Sequence, residues 1–258
     1  MHPWPPPEPA RRRGLSGSSR MSIGSVLALL VAACVLMLDP GDAGSRFRGL
    51  VGLEERRIAA VPFSGEGTYR FLSTQPGGDE PVGWNPCRPI RFVVNPEGAP
   101  QEWRELVDDG VAEVSAATGL EFEDEGTTDD RGFDERSGGI GIGGPDPVLI
   151  GWADEDEVEG LAGDVAGLAG PVTLSSAGFG RYVSGMVVLD ADTYADLDGM
   201  IGGREQQRAI LIHELGHLVG LAHVDDEGEL MHATNLGRTD FGPGDLTGLA
   251  LLGRVPCG

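Results

Sequence analysis

Four of the five histidines in this 258-residue chain lie between positions 213 and 232. Three of them fall in one stretch that reads H-E-x-x-H-x-x-G-x-x-H and includes Glu214. Three imidazoles can bind one zinc ion and leave its fourth position open to water, which is typical of a catalytic site. The stretch therefore predicts one catalytic zinc ion with His213, His217 and His223 as ligands.

A helix has to place the first two of these ligands. Residues 204–219 contain good helix formers and no proline, so we predict one continuous helix there. His213 and His217 are four positions apart and therefore lie on the same face. Glu214 is rotated by about 100° and can lie beside the metal without binding it. We predict that Gly220 ends the helix, with a positive φ that turns the third histidine towards the ion.

This arrangement predicts hydrolysis. Zinc lowers the pKa of a bound water to roughly 7, and it polarises a carbonyl group. Glu214 would take the proton of the zinc-activated water as general base and deliver it to the leaving amine. The sequence thus favours a zinc-dependent enzyme. Two alternatives remain open: a zinc-binding extracytoplasmic adhesion or binding module without turnover, and a surface protein with a structural metal. The intact Glu214 argues against loss of turnover.

The stretch resembles the metzincin metallopeptidases, and residues downstream are similar to the matrixin-like branch of bacterial type. Leu230 and Met231 lie where matrixins have their methionine turn, eight residues after His223. Residues 244–253 look like the matrixin C-terminal helix and its end, and residues 185–190 look like the last strand before the zinc helix. The resemblance implies a zinc endopeptidase that acts on peptides or proteins, with Met231 as the floor of the site.

The same resemblance implies the fold class. We expect an α/β (α+β metzincin-like) domain over residues 67–258, with a twisted mixed sheet, an early helix, the zinc helix, the methionine turn and a C-terminal helix. The substrate cleft would lie between the edge strand and the zinc helix. By analogy with matrixins, a pocket for the residue after the scissile bond would border the zinc helix near Ala209.

The chain also departs from the matrixin pattern. His232 and Ala233 follow the methionine, where tyrosine or proline is usual. No histidine lies between positions 3 and 212, so we expect no second, structural zinc site. The cysteine-switch sequence of matrixin propeptides is also missing. We predict that His232 is a neighbour of the site and not a fourth ligand, because a catalytic zinc keeps one position open.

The pattern of apolar residues predicts the elements around the site. We expect strands at residues 90–94, 120–123, 148–152, 171–175 and 182–189, and a helix over residues 102–117. Four acidic residues precede the zinc helix, and we expect them to cap or orient it, one of them through the second nitrogen of a ligand histidine. These are Asp190, Asp192, Asp196 and Asp198.

The charge of the chain limits its partners. The formal net charge is −22, with 19 arginines and no lysine. This balance argues against binding to nucleic acid or to an anionic membrane. Two acidic clusters, residues 121–134 and 154–159, raise the question of calcium, but neither has the ligand spacing of a calcium loop, and we expect solvated loops. We expect a monomer.

The N-terminal part is predicted to direct export. Residues 1–20 form a disordered cytoplasmic tail with four arginines, and residues 21–38 are a signal peptide or signal anchor built around the apolar run 23–38. A lipobox-like sequence ending at Cys34 leaves lipidation open as well. Residues 39–66 would be a linker or a short propeptide. The protein is then extracytoplasmic, either secreted or tethered to the membrane.

Cysteine usage agrees with export. Cys87 and Cys257 lie near the start and at the end of the predicted domain, which suits a disulfide between them. Such a bridge would close a long loop and stabilise the fold by roughly 4–5 kcal/mol. Alternatively, Cys87 binds the zinc ion and keeps the enzyme latent.

Overall fold

The computed structural model describes residues 31–35, 55–63, 65–139, 144–176, 178–234 and 237–257. The chain divides into two units, Met1–Val51 and Gly52–Gly258. In the first unit the described residues, 31–35, are helical, and the rest of the predicted tail and targeting segment lies outside the described residues. No helix within the described ranges combines the length and the apolar character that a bilayer crossing requires.

A five-stranded mixed sheet forms the centre of the second unit. Its strands in chain order are β1 (Ile90–Asn95), β2 (Phe122–Thr127), β3 (Val148–Ala153), β4 (Gly167–Ser176) and β5 (Phe179–Asp190), and their spatial order is β2-β1-β3-β5-β4. All neighbours are parallel except β4, which pairs antiparallel with β5 and lies at one edge. The predicted α/β class with a mixed sheet is confirmed.

Four α-helices accompany the sheet: α1 (Trp103–Thr118), α2 (Ala191–Leu197), α3 (Gly203–Val219) and α4 (Pro243–Leu252). The early helix, the zinc helix and the C-terminal helix agree with the prediction to within one or two residues. Helix α2 was not predicted, because its seven residues are largely polar and only Tyr194 is buried. Two short 3₁₀ turns, Phe133–Glu135 and Glu159–Leu161, lie in the connections.

Three strands differ from the sequence prediction, and the first of these differences is that β5 begins at Phe179, three residues before the predicted 182. Strand β2 begins at Phe122 and extends to Thr127, although we expected residues 120–123. As an edge strand, β2 has the polar sequence FEDEGT. The pattern of apolar residues therefore does not show where this strand begins and ends. Strand β4 starts at Gly167, four residues before the predicted 171, because its first half, GLAG, pairs with β5 despite its glycines.

Both faces of the sheet are buried, as the fully buried strand β3 requires. Alternate residues of β3 point to opposite faces. Ile150 and Trp152 belong to the larger apolar cluster, which includes residues of α1 and α3. Leu149 and Ala153 belong to a smaller cluster with Phe133. The larger cluster fixes α3, and therefore the predicted zinc ligands, against the sheet.

Residues before the predicted start of the domain also contact the second unit. Arg57 donates its backbone N–H to the carbonyl of Pro86 at 3.1 Å and forms an ion pair with Glu121. Arg254 donates to the carbonyl of Val61 at 2.8 Å. Residues 55–63, which we predicted to be linker or short propeptide, thus lie on the surface of the same unit as the sheet.

Candidate metal centre

Helix α3 places two of the three predicted ligands one turn apart. The ring centroids of His213 and His217 lie 4.8 Å from each other. The helix contacts α1 on one side and β4 on the other, and most of its second half is buried. Because both neighbours are fixed by the apolar core, the two imidazoles are held before any metal binds.

Gly220 brings the third histidine to the first two. Its φ is 125°, a region that side chains with a Cβ rarely adopt, as the sequence predicted. An added Cβ there would also lie 2.9 Å from Leu252 Cδ2 and 3.0 Å from Tyr182 Cε2. After this turn, Ala222 donates its N–H to the carbonyl of Arg70 at 2.8 Å. The pairing directs His223 towards α3.

The three imidazoles converge through their Nε2 atoms. His223 Nε2 lies 3.1 Å from His213 Nε2 and 3.0 Å from His217 Nε2. Each helix histidine has its Nδ1 at 2.8 Å from a backbone carbonyl, that of Leu230 for His213 and that of Leu221 for His217. A carbonyl only accepts, so both Nδ1 atoms carry the proton and both Nε2 atoms present a lone pair.

This arrangement fits a zinc ion. The Nε2 lone pairs of His213 and His217 both lie within about 3 Å of His223 Nε2, and one Nε2 proton on His223 can satisfy only one of them, whereas a cation can bind all three nitrogens. Zinc binds imidazole nitrogens at about 2.0–2.1 Å and accepts three of them with one position to spare. Within the described residues these three histidines form the one group of metal-binding side chains that could share an ion. The carbonyls of Leu230 and Leu221 fix the orientation of the two rings, as hydrogen-bond partners of zinc-binding histidines commonly do.

Burial keeps the ligands neutral. Loss of hydration lowers the pKa of His213 to about 3 and that of His217 to about 4. Burial also lowers the pKa of His223, and Arg70 contributes to the decrease. At neutral pH all three imidazoles are therefore unprotonated, which is the form that binds a metal.

Glu214 lies beside the ligands and close to the edge strand. Its residue is 6% exposed, and burial raises the pKa of its carboxyl group to about 8. An added Cβ at Gly167, the first residue of β4, would come within 2.8 Å of Glu214 Cγ. A nearby cation would lower this pKa again, because opposite charge favours the ionised form. The structure thus places Glu214 next to His213 on α3, with its side chain against the first residue of the edge strand.

Met231 lies directly beneath α3. Its residue is 1% exposed, and its Sδ would lie 2.8 Å from a Cβ added at Gly216. The carbonyl of Met231 accepts the N–H of Val224 at 3.0 Å, which ties the methionine to the segment that follows His223. The structure therefore places Met231 under the helix turn that carries the metal ligands.

Two buried carboxylates, Asp245 and Glu229, support the methionine turn. Neither was predicted from the sequence. Asp245 accepts the N–H of Leu230 at 2.5 Å and that of Gly242 at 2.9 Å. Glu229 accepts the N–H groups of Gly244 and Asp245, each at 2.9 Å. The only signal in the sequence for Asp245 is its place in the first turn of a helix. An acidic residue stabilises the N-terminus of any helix, so this signal does not indicate a role at the site.

Two predicted residues lie outside this group. His232 is not among the converging ligands, and its Nδ1 contacts the carbonyl of Thr234 at 2.8 Å. Ala209 is fully buried in the larger apolar cluster, so the structure does not bring it to the metal centre. Ala209 lies one turn before His213, where the surrounding apolar side chains cover α3. No space for a substrate side chain is left at this residue.

The acidic residues before α3 do not act as expected. Asp190 caps the unpredicted helix α2, since its Oδ1 accepts the N–H of Thr193 at 2.7 Å. At His213 and His217 the second nitrogen contacts a backbone carbonyl and not one of these aspartates. The remaining three, Asp192, Asp196 and Asp198, belong to α2 or its C-cap and not to α3.

The two predicted disulfide cysteines are paired. Cys87 and Cys257 form a disulfide with their Cα atoms 5.7 Å apart, and it joins the segment before β1 to the C-terminus. A sulfur in this bond is not a free thiolate. In this form Cys87 does not serve as the alternative zinc latch.

The acidic clusters are partly neutralised by arginines. Asp130 pairs with Arg136 at 2.6 Å, and Glu157 pairs with Arg131. Backbone hydrogen bonding from Gly132 lowers the pKa of Asp130, and Arg136 adds to this effect. These carboxylates have cationic partners within the protein, while a calcium role for them stays open.

The comparisons with known proteins point to the same site. The matrixin peptidase family matches residues 144–242, a range that includes β3 to α3, the three histidines and the methionine turn. This part of the chain is matrixin-like, and the match indicates a zinc metallopeptidase. No curated protein matches the sequence.

Solved structures give weaker likenesses. The GM1-bound form of the ECX AB5 holotoxin matches at 14% identity with a TM-score of 0.37, over 65% of this chain and 81% of that one. Archaemetzincin from Methanopyrus kandleri matches at 19% identity with a TM-score of 0.34, over 66% and 88%. Neither likeness is close enough to carry an argument.

Proposed function

We propose that this matrixin-like chain is a zinc-dependent endopeptidase that cleaves peptide bonds within proteins or peptides. The observation that carries the proposal is the convergence of three histidine Nε2 atoms, two of them on the helix that also carries the buried carboxylate of Glu214. Neutral imidazoles suit a metal, and the carboxylate suits proton transfer. The family match over residues 144–242 supports the same reading.

Each residue has a distinct role in the proposed reaction. His213, His217 and His223 would hold the ion, and the carbonyls of Leu230 and Leu221 fix the first two rings in the required tautomer. When bound, zinc supplies Lewis-acid polarisation of the scissile carbonyl and acidifies water. No further protein ligand is needed, so the fourth position stays available to water and substrate.

Glu214 would move the proton. It takes a proton from the attacking water and gives it to the nitrogen of the leaving amine, so that one carboxylate serves as base and then as acid. Burial raises the pKa of the Glu214 carboxyl group to about 8, and the neighbouring cation would lower it towards its ordinary value. The resulting pKa lies near the working pH. Both transfers are then energetically accessible.

Strand β4 would hold the substrate. It lies at the edge of the sheet, and its first residue contacts the Glu214 side chain. An exposed edge binds an extended peptide by adding it as a further strand, chiefly through main-chain hydrogen bonds. A peptide bound in this way has an arm of several residues along β4 on one side of the metal centre, which favours cleavage within a chain over removal of the residue at that end.

We further propose that the enzyme acts outside the cytoplasm, as a monomer. The Cys87–Cys257 disulfide supports an oxidising compartment. The apolar run 23–38 behind four arginines supports export, by a cleaved signal, a retained anchor or lipidation at Cys34. The alternative of a zinc-binding module without turnover lacks support, since it leaves the buried Glu214 without a role.

The test uses the full chain purified with zinc. We expect one zinc per chain and cleavage of an unstructured protein at internal bonds. E214Q should keep the zinc and lower kcat by at least about a hundredfold, because it removes general-base catalysis. E205Q, which changes an exposed residue in the first turn of the same helix, should behave as wild type. Zinc without cleavage in either form would support the binding module instead.

A further inference from the structure

A cavity of about 920 Å³ lies at the far end of strand β4 and has no role in the proposed mechanism. Its walls come from β4 and β5, from the segment before β1 and from the C-terminus behind α4. The apolar side chains that line it include Tyr69, Phe71, Leu174, Phe179, Leu251 and Val255. Phe179 is 66% exposed and Leu174 is 36% exposed, so large apolar groups face solvent here.

Three of the polar side chains that line this cavity have partners in the protein, and the acidic residues Asp79 and Glu80 line it as well. The Gln75 side chain exchanges two hydrogen bonds of 2.9 Å with the backbone of Gly180. Arg181 donates to the carbonyl of Pro256 at 3.0 Å, and Arg254 donates to that of Val61 at 2.8 Å. Because apolar side chains supply much of the lining and its acidic groups repel an anion, the cavity suits an aliphatic or aromatic side chain better than an acidic one.

The walls are preformed. Cys257 lines the cavity and is joined to Cys87 by the disulfide, which fixes the C-terminal wall. Leu174 and Ser176 belong to the regular strand β4, which fixes the opposite wall. A ligand would thus lose little binding energy in ordering this part of the protein.

Two elements of the chain reach from the cavity to the candidate metal centre. Tyr69 lines it and also lines a smaller cavity of about 580 Å³ that borders His223. Strand β4 runs from Gly167, beside Glu214, to Leu174 in the cavity wall. At about 3.3 Å per residue, these seven residues span about 23 Å.

We propose that this cavity is a remote substrate subsite, which binds an apolar side chain about five to nine residues on the N-terminal side of the scissile bond. The inference rests on the proposed function, in which the substrate pairs with β4 as an additional strand. An antiparallel added strand pairs more stably than a parallel one. In that orientation the N-terminal arm of the substrate runs along β4 from Gly167 towards Leu174.

The test compares peptides that share one cleavable core. A serine-rich N-terminal arm of ten residues carries one leucine, placed in turn at each position from four to ten residues before the bond. We expect kcat/KM for the full-length enzyme to rise by about tenfold at one or two of positions five to nine, mainly through a lower KM. A mirrored C-terminal arm should give no such gain.

Variants of residues in the cavity wall test whether the rise in kcat/KM depends on the cavity. F179S and L174S should each bring the ratio of kcat/KM between the leucine arm and the all-serine arm close to one. I201S removes a fully exposed apolar side chain from the loop before α3 and should leave this ratio as in wild type. Equal rates for all leucine positions, or an unchanged ratio in both cavity variants, would overturn the proposal.

A binding measurement separates this inference from the proposed function. Peptide Kd values are measured for the same arms by fluorescence polarisation. If no peptide is cleaved but Kd still depends on the leucine position, the endopeptidase proposal fails and the subsite remains. If the core is cleaved without any dependence on the arm, the subsite is wrong. A wild-type dimer that F179S converts to a monomer, with no arm effect, would instead assign the cavity to self-association.

Discussion

Gly167 lies directly against the side chain of Glu214. An added Cβ at Gly167 would be 2.8 Å from Glu214 Cγ and 3.1 Å from its Oε1 atom. Real Cβ atoms essentially never approach another atom below 3.0 Å, so one of the two residues would have to move. The strand proposed to hold the substrate and the proposed general base are therefore packed as one unit.

The first prediction follows from this contact. G167A should push the Glu214 carboxylate away from its position beside the histidines and lower kcat/KM by about 10- to 100-fold, since small displacements of catalytic groups are costly. Zinc content should stay at one per chain, because His213 and His217 are held on α3 and His223 by the turn that follows it. Steady-state kinetics and metal analysis of the same preparation check both statements.

Gly170 offers the matched control on the same strand. An added Cβ there has no atom within 4 Å. G170A should therefore lower kcat/KM less than G167A. Equal losses in the two variants would show that the effect comes from a stiffer strand and not from contact with Glu214.

A second prediction concerns Asp245, which supports the turn that carries Leu230. Burial raises the pKa of Asp245 from 3.8 to about 6, although the N–H groups of Gly242 and Leu230 act in the opposite direction. The unfolded chain then loses this proton at a lower pH than the native protein. The free energy of unfolding should fall as the pH rises from about 4 to 6, by up to about 3 kcal/mol from this group.

D245N cannot titrate but keeps an acceptor oxygen for Leu230 and Gly242. In metal-free protein, the difference in unfolding free energy between wild type and D245N should change by this amount between pH 4 and 6. Urea unfolding at several pH values measures it. A difference that stays constant with pH would refute the assigned titration.

The third prediction concerns the disulfide. Cys87 and Cys257 are separated by 170 residues, so their bond removes much freedom from the unfolded chain. C87S/C257S should lose roughly 4–5 kcal/mol of stability in the chain-entropy model. Urea unfolding of the double variant and of the oxidised wild type gives the comparison.

The same double variant also tests the alternative role of Cys87. Zinc content and activity at low temperature should match wild type if Cys87 is structural. A double variant with higher activity than wild type would indicate that Cys87 restrains the enzyme.

The fourth prediction concerns metal removal. A chelator should abolish peptide cleavage but leave the far-ultraviolet circular dichroism nearly unchanged, because α3 is held by the apolar core and not by the ion. Zinc should raise Tm, since it binds the folded form. Loss of secondary structure on chelation would mean that the metal is structural.

The convergence of the three histidines could be predicted from the sequence because its signal is local. His213 and His217 share a helix face through a four-residue spacing, and Gly220 carries the turn. The buried strand β3 was equally clear from its run of apolar residues. Both features depend on neighbours in the chain, which a single sequence displays directly.

Features that depend on distant contacts were not predictable. Asp245 and Glu229 resemble solvated acids in the sequence, and their role depends on α4 returning to the segment before Met231. Asp190 was assigned to α3 because the short polar helix α2 gave no apolar pattern. Ala209 was placed at a pocket by analogy, yet tertiary packing encloses it.

Zinc K-edge X-ray absorption of the full-length protein tests the central claim most directly. We expect one zinc per chain, bound by three imidazole nitrogens at about 2.0–2.1 Å and by one exchangeable oxygen. H217N should lose most of this zinc. A spectrum with four permanent protein ligands, or a protein that binds no zinc at all, would contradict the account.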